Sequence, residues 1–201
     1  FAGAAAVSAL VAAGASAQPL LGDIVVNEKK PLGHVLYLDV SSGQLLTIAP
    51  GPISATRAIG GLSMAKNNTD MLVVEEGGPF QHWSITPSGV VTTIAPVGAT
   101  GLGAPTSIDL MQDGRYVVSS PVYQARDYLH IFDPATKTRT SLFVHSPSSQ
   151  YFYQVRENPE NGNLLITGAF GSQLLEYNPV TSQLRTIYSG LGNNHGVDVD
   201  P

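Results

Sequence analysis

The sequence predicts an all-β chain built of four-stranded antiparallel blades, a β-propeller with about four blades present. Three observations predict it. A segment recurs at a spacing in the forties, which is the period of propellers and helical arrays. The apolar runs are short and rich in Val, Ile, Tyr and Phe. Turn residues (Gly, Pro, Asn and Asp) cut those runs roughly every 8 to 12 residues, so strands fit each unit better than helices.

Composition sets the outer bounds. The chain has 201 residues, 43% hydrophobic and only 12% charged, which is enough apolar material for a sizeable core and too much for disorder. Ten Lys plus Arg against fifteen Asp plus Glu leave a formal charge of -5, so there is no basic footprint for nucleic acid or an anionic membrane surface. The absence of Cys removes disulfides, thiol catalysis and Cys-ligated zinc together.

Residues 1–17, FAGAAAVSALVAAGASA, carry no charge and close on Ala15-Ser16-Ala17, a small-x-small pattern that a signal peptidase accepts. The stretch is short and weakly apolar for a membrane span, and Pro19 follows at once. The expectation is a signal peptide over 1–17, a mature chain over 18–201, and a secreted, extracellular or periplasmic location. Asn67-Asn68-Thr69 is then a glycosylation sequon in a eukaryotic host.

The remainder repeats. Val25 to His34 and Val73 to His82 share Val-Val, Glu, Pro and His at one offset, 79 − 31 = 48. Thr47-Ile48-Ala49-Pro50 returns as Thr93-Ile94-Ala95-Pro96 at 93 − 47 = 46. Taking Val26, Val74, Val118 and Ile166 as equivalent gives steps of 48, 44 and 48. In the third unit the four strands read as 107–111, 116–119, 128–132 and 140–144. Four strands per repeat is the plan of a propeller blade. The third-to-fourth connections are tight turns: Ser41-Ser42-Gly43, Pro87-Ser88-Gly89, Pro134-Ala135-Thr136-Lys137 and Pro179-Val180-Thr181-Ser182.

Phe132-Asp133-Pro134-Ala135-Thr136-Lys137 and Tyr177-Asn178-Pro179-Val180-Thr181 resemble the "D-P-x-T-G" hairpins of six-bladed propellers. Gln112-Asp113-Gly114-Arg115-Tyr116-Val117-Val118 and Asn161-Gly162-Asn163-Leu164-Leu165-Ile166-Thr167 resemble their "D-G-x-L-Y-V" second strands. The likeness is to the NHL, TolB-like and SMP-30/gluconolactonase group, and it marks blades rather than a chemistry. The 201 − 17 = 184 mature residues over a period near 46 give four units, whereas the resembling families close with six. A fragment with an incomplete ring is the expectation, and a closed four-bladed ring the alternative.

Loop lengths choose a working face. Connections one-to-two and three-to-four are short throughout. The opposite end carries 27–33, 75–81, 119–127 and the links 51–61, 97–106, 146–151 and 190–195. Long loops on a rigid scaffold carry binding and chemistry, so a pocket is expected at this end of the central axis. Glu28 and Glu76 read as repeat equivalents, as do His34 and His82, and such repetition favours a structural role in which each His bonds backbone. Arg126-Asp127 reads as an exposed loop pair of little weight. Glu75, matched by Asn27, lies outside the equivalence.

Asn193-Asn194-His195-Gly196-Val197-Asp198-Val199-Asp200 opens a blade at the axial end. It resembles the "N-G-[LI]-x-x-x-x-D-G" and "P-[DH]-G-[IM]-x-x-D" openings of SMP-30-like lactonases and streptogramin-lyase-like propellers. That resemblance implies a divalent cation (Ca, Mg, Mn or Zn) held near Asn194, with His195 where the patterns place Asp or a basic His. The other openings, Gly61-Leu62, Thr106-Ser107 and Tyr153-Gln154, depart from the pattern, and a hard cation wants six or more oxygen ligands.

Two functions follow. One is cation-assisted hydrolysis or elimination of a small lactone- or ester-like molecule in the axial pocket, with His195 and Glu76 catalytic and Asn194 at the metal. The other is a non-catalytic propeller that binds a small ligand or a protein on the long-loop face, with Phe80, Trp83, Tyr123, Tyr151, Phe152 and Tyr153 available as a rim. Aromatics in strands more often pack between sheets.

Overall fold

The computed structural model describes residues 24–27, 35–49, 58–64, 70–76, 81–96, 105–122, 126–145, 151–168, 170, 172–193 and 196–199. Within these, the side chains of residues 24–27, 49, 58, 75, 76, 81, 95, 96, 122, 126, 127 and 143–145 are left out of the description. The proposed leader and the Asn67 sequon lie outside the described residues.

Fifteen strands and no helix occur among the described residues. The first sheet is β1 (Ile24–Asn27), β2 (Val35–Asp39) and β3 (Gln44–Ala49), in that order. The second is β4 (Ala58–Met64), β5 (Met71–Glu76), β6 (Gln81–Ile85) and β7 (Val91–Pro96). The third is β8 (Ser107–Leu110), β9 (Tyr116–Val122), β10 (Arg126–Asp133) and β11 (Thr138–His145). The fourth is β12 (Phe152–Glu157), β13 (Leu164–Gly168), β14 (Gln173–Asn178) and β15 (Gln183–Ser189). Every pairing is antiparallel between neighbours in sequence, the up-and-down order of a propeller blade.

Side chains alternate across each strand, so each sheet offers two faces, and the core lies between sheets. Val35 and Tyr37 of the first sheet pack against Met71, Val73, Trp83 and Ile85 of the second. Leu72 and Val74, on the other face of β5, meet Ile108, Tyr116, Val118 and Phe132 of the third. Val117, Leu129 and Ile131 then meet Phe152, Val155, Leu164, Ile166 and Tyr177 of the fourth. Burying one such side chain contributes about 1.5–3 kcal/mol, so the inner sheets are held from both faces.

This alternation corrects the repeat register. Val118 and Ile166 face the preceding sheet, whereas Val74 faces the following one, so the true equivalent in the second sheet is Val73. The steps become 118 − 73 = 45 and 166 − 118 = 48. A one-residue slip exchanges the faces of a strand, and the Val73-Val74 doublet hides that slip in the sequence. The pairing carries the same shift into β2 and β6: Val35 lies opposite Asn27 as His82 lies opposite Val74. His82 therefore corresponds to Val35, not to His34.

Three of the third-to-fourth turns share one mechanism. Asp39 Oδ1 accepts from Ser41 N and Ser42 N, Asp133 Oδ1 from Ala135 N and Thr136 N, and Asn178 Oδ1 from Val180 N and Thr181 N. The fourth residue after each of these is left-handed: Gly43 at φ 69°, Lys137 at 56° and Ser182 at 56°. Hydrogen bonds from the Ser41 and Ser42 hydroxyls hold the Asp39 carboxyl down, at about 2. The second sheet differs: its shorter turn is closed by Val90 N donating to Thr86 Oγ1, with Gly89 at φ 82°.

Between β9 and β10 the segment 119–127, read from sequence as a long loop, is mostly strand. Pairing continues to Arg126 opposite Val122, so Arg126 and Asp127 belong to β10 rather than to a loop. Continued ladder bonds there outweigh the local turn signal of Pro121.

The first strands of the sheets adjoin one another, β4 against β8 and β8 against β12, while β7, β11 and β15 are outermost. They form the hub. A Cβ built on Gly61 would stand 2.6 Å from Ser107 Cα, so only glycine allows β4 this close to β8.

Candidate functional site

A depression of about 190 Å³ opens on the hub. It is lined by Gly60, Gly61 and Leu62 of β4, Thr106 and Ser107 at the start of β8, and Tyr153, Gln154 and Arg156 of β12. They occupy matching positions on three consecutive first strands, with Gly60, Thr106 and Tyr153 nearest the end where the blade-to-blade links enter.

Much of its polar wall is committed to holding the strands together. Thr106 Oγ1 donates to Phe152 O at 3.2 Å, and Ser119 Oγ donates to Tyr153 O at 3.2 Å. Ser107 Oγ donates to Val155 O at 3.4 Å and accepts from Val155 N at 3.2 Å. Bonds of this kind satisfy buried hydroxyls and fix the strand spacing.

Below them runs a charged belt. Asp109 Oδ1 accepts from Ser63 Oγ at 3.2 Å and from Arg156 Nη1 at 3.0 Å, while its Oδ2 accepts from Glu157 N at 3.0 Å. Burial raises the Asp109 pKa, and the Arg156 charge and these donors oppose the rise. Arg156 Nη1 also donates to Ile108 O at 3.2 Å. On its other side, Arg156 Nε stands 3.8 Å from Asp198 Oδ1. Val197 N donates to Gln154 Oε1 at 3.1 Å, so residues 196–199 lie along β12 much as β12 lies along β8. Ser63, Asp109, Arg156 and Asp198 thus stand in series across successive positions at the hub.

Of the residues singled out in the sequence, Asn194 and His195 lie outside the described residues. Glu76 closes β5 opposite Ala58, and its side chain is not described. Gly196 and Val197, which follow His195 directly, stand at the Gln154 edge of the pocket. Asp109 and Arg156 were not singled out in the sequence, since no motif contains them, and Gln154 entered only as part of an opening that departs from the lactonase pattern. One signal existed: Asp109 and Arg156 are opposite charges 47 residues apart, one blade period.

A second polar group lies between the second and third sheets. His82 Nδ1 and Tyr116 Oη are hydrogen-bonded at 3.2 Å, and His130 Nδ1 meets Ser141 Oγ at 3.1 Å. Both rings lie edge-on to Phe132, with centroids 4.4 Å and 6.3 Å away. Burial lowers the pKa of His82 to about 3 and of His130 to about 4, with Arg139 adding to both. Burial likewise raises the Tyr116 pKa. Neutral imidazoles bonded in an interface are structural, as the sequence reading favoured for His82, although its partner is a tyrosine hydroxyl and not backbone. Trp83 and Phe152 are core residues at 2% and 0% exposure, not rim.

A third feature is a cleft of about 530 Å³ on the far face of the fourth sheet, where Asn163, Asn178 and Gln183 surround a Glu176–Arg185 ion pair. Asn163 Nδ2 donates to Glu176 Oε1 at 3.0 Å, and bonding to Arg185 and Asn163 holds the Glu176 carboxyl below its ordinary pKa. Among the described residues no cluster of three or more His, Cys, Asp or Glu could hold a metal ion. No helix of the described residues is long and apolar enough to cross a membrane.

No family model and no curated protein matches this chain. Solved structures do. A chain of a nidogen/laminin complex superposes with a TM-score of 0.64 at 14% identity, over 84% of this chain and 62% of that one. Virginiamycin B lyase from Staphylococcus aureus gives 0.63 at 14%, over 83% and 52%. An auxiliary nutrient binding protein from Bacteroides thetaiotaomicron gives 0.63 at 15%, over 88% and 40%. The chain therefore spans about three-fifths of the first and half of the second. At these identities the likeness shows the fold, a β-propeller.

Proposed function

We propose that this protein is a secreted propeller that binds a small organic molecule in the pocket at the long-loop end of its hub. The observation that carries the reading is the Val197–Gln154 bond at 3.1 Å. It brings the segment that follows Asn194 and His195 to the wall of a depression already bordered by three consecutive first strands. Similarity to a lyase, to a nutrient binding protein and to a chain of a nidogen/laminin complex is compatible with a ligand site on this scaffold. Another similar structure is an extracellular domain, which is compatible with secretion.

A catalytic version of the same reading assigns cation-assisted hydrolysis or elimination of a lactone- or ester-like substrate to His195 and Glu76, with Asn194 at the metal. The described donors at the hub do not by themselves suit a hard cation, because Asp109 is bonded to Arg156, Ser63 and Glu157 and leaves only Asp198 open to solvent. Binding at the pocket is what the described donors support best.

Melting temperature separates the two versions. A shift with Ca²⁺, Mg²⁺, Mn²⁺ or Zn²⁺ that disappears in His195→Ala and in Asn194→Ala supports the catalytic one, since a ligand of the native state stabilises it by mass action. No shift with any of the four ions removes it, and a melting shift with small organic molecules then supports the binding protein.

A further inference from the structure

The geometry points to a carboxylate-bearing ligand in the axial pocket, gripped by the Nε–Nη2 edge of Arg156, with Asp198 as the internal group that such a ligand displaces. This inference rests on the pocket proposed above and deepens it.

The guanidinium of Arg156 is used on one side only. Its Nη1 carries the bonds to Asp109 Oδ1 and Ile108 O, which fix the plane of the fork from the core side. Its Nη2 makes no hydrogen bond among the described residues, and its Nε has only Asp198 Oδ1 at 3.8 Å, beyond hydrogen-bond length. An Nε–Nη2 edge presents two parallel N–H donors that match the two oxygens of a carboxylate.

The group now beside that edge is weakly held. The Asp198 side chain is 93% exposed, and an exposed ion pair contributes little once water and salt screen it. Arg156, by contrast, is 21% exposed and its Asp109 partner 14%, so an incoming carboxylate meets a fixed cation in a partly dehydrated wall. Gln154 adds a second donor. Its Oε1 accepts from Val197 N, which leaves the Nε2 protons without a partner among the described residues, and Gln154 is one of the residues that line the pocket. The Thr106 and Ser107 hydroxyl protons are spent on Phe152 O and Val155 O. Arg156 and Gln154 thus offer donors to the ligand, and the guanidinium among them asks for an acceptor with negative charge.

Propionate and its methyl ester test this at constant ionic strength on the ¹⁵N-labelled full chain. The expected result is a saturable shift of the Arg156 Nε–H and Gln154 Nε2–H signals with propionate and an at least tenfold weaker response to the ester. Asp198→Asn, an exposed change that leaves the fold intact, should tighten propionate binding several-fold by removing the competing carboxylate. Arg156→Lys should weaken it by about tenfold or more, because an ammonium cannot make the paired bonds. Equal shifts with acid and ester would leave the pocket standing and overturn the charge selection. Unchanged affinity in Asp198→Asn would overturn the displacement. If neither compound shifts these signals while the melting experiment detects another ligand, this inference alone falls.

Discussion

Arg156 reaches from β12 back to β8 and places Nη1 3.0 Å from Asp109 Oδ1, so that two consecutive blades are joined at the hub by one ion pair. The same carboxylate takes Glu157 N and Ser63 Oγ, and a third blade is thereby tied in. Removing Arg156 would strand a largely buried carboxylate. Arg156→Ala should cost about 2–3 kcal/mol in urea denaturation, less than for a fully buried pair because both groups keep some solvent. Asp109→Asn, which retains an acceptor, should cost about 1 kcal/mol. A double-mutant cycle with no coupling between the two would contradict the latch.

Gly61 sets how closely the second and third blades approach. Gly61→Ala drives a methyl to within 2.6 Å of Ser107 Cα, backbone that cannot swing aside. The expected loss is about 1–3 kcal/mol or more, typical of overpacking, read as a lowered denaturation midpoint with unchanged slope. Wild-type stability in this variant would mean that β4 and β8 are not in contact there.

The two interface histidines predict a pH dependence. Both native pKa values are depressed, to about 3 for His82 and about 4 for His130, against 6.5 when unfolded. From pH 6.5 downward the unfolded chain takes up protons that the native one refuses, so stability falls as pH drops through 6.5 toward 4 and is fully present above that window. Each histidine accounts for about 2 kcal/mol at pH 5. Chemical denaturation at pH 7.5 and pH 5 should show the loss, and His130→Leu should reduce the pH difference. An unchanged difference in that variant would refute the assignment.

Gln154 anchors residues 196–199 through Val197 N. Gln154→Leu should speed amide hydrogen exchange at Val197 by about tenfold, while Gln154→Glu, which keeps the acceptor, should hold it near the wild-type rate. Equal exchange in all three proteins would show that the segment is held by something else.

The blade plan was legible because each strand carries its own signal. Tyr116-Val117-Val118 and Leu164-Leu165-Ile166 are short β-rich runs, each behind an Asp-Gly or Asn-Gly turn, and both became second strands. Face assignment was less legible, since Val73 and Val74 are chemically identical and only packing tells which looks forward. The pocket wall was illegible for a different reason. Gln154 and Arg156 acquire meaning only when β12 lies beside β8 and 196–199 beside β12, contacts across 43 to 48 residues that no local pattern encodes. His82 was noticed as a repeat match, yet its partners Tyr116 and Phe132 come from the next blade.

The Asx-closed loops at Asp39, Asp133 and Asn178 make the hairpin a portable cassette. Since glycine, lysine and serine all serve at its left-handed corner, the shape is dictated by the first residue and not by the corner. Exchanging 133–138 for 178–183 between blades should therefore leave either sheet assembled, and a shuffled chain could be composed from interchangeable parts.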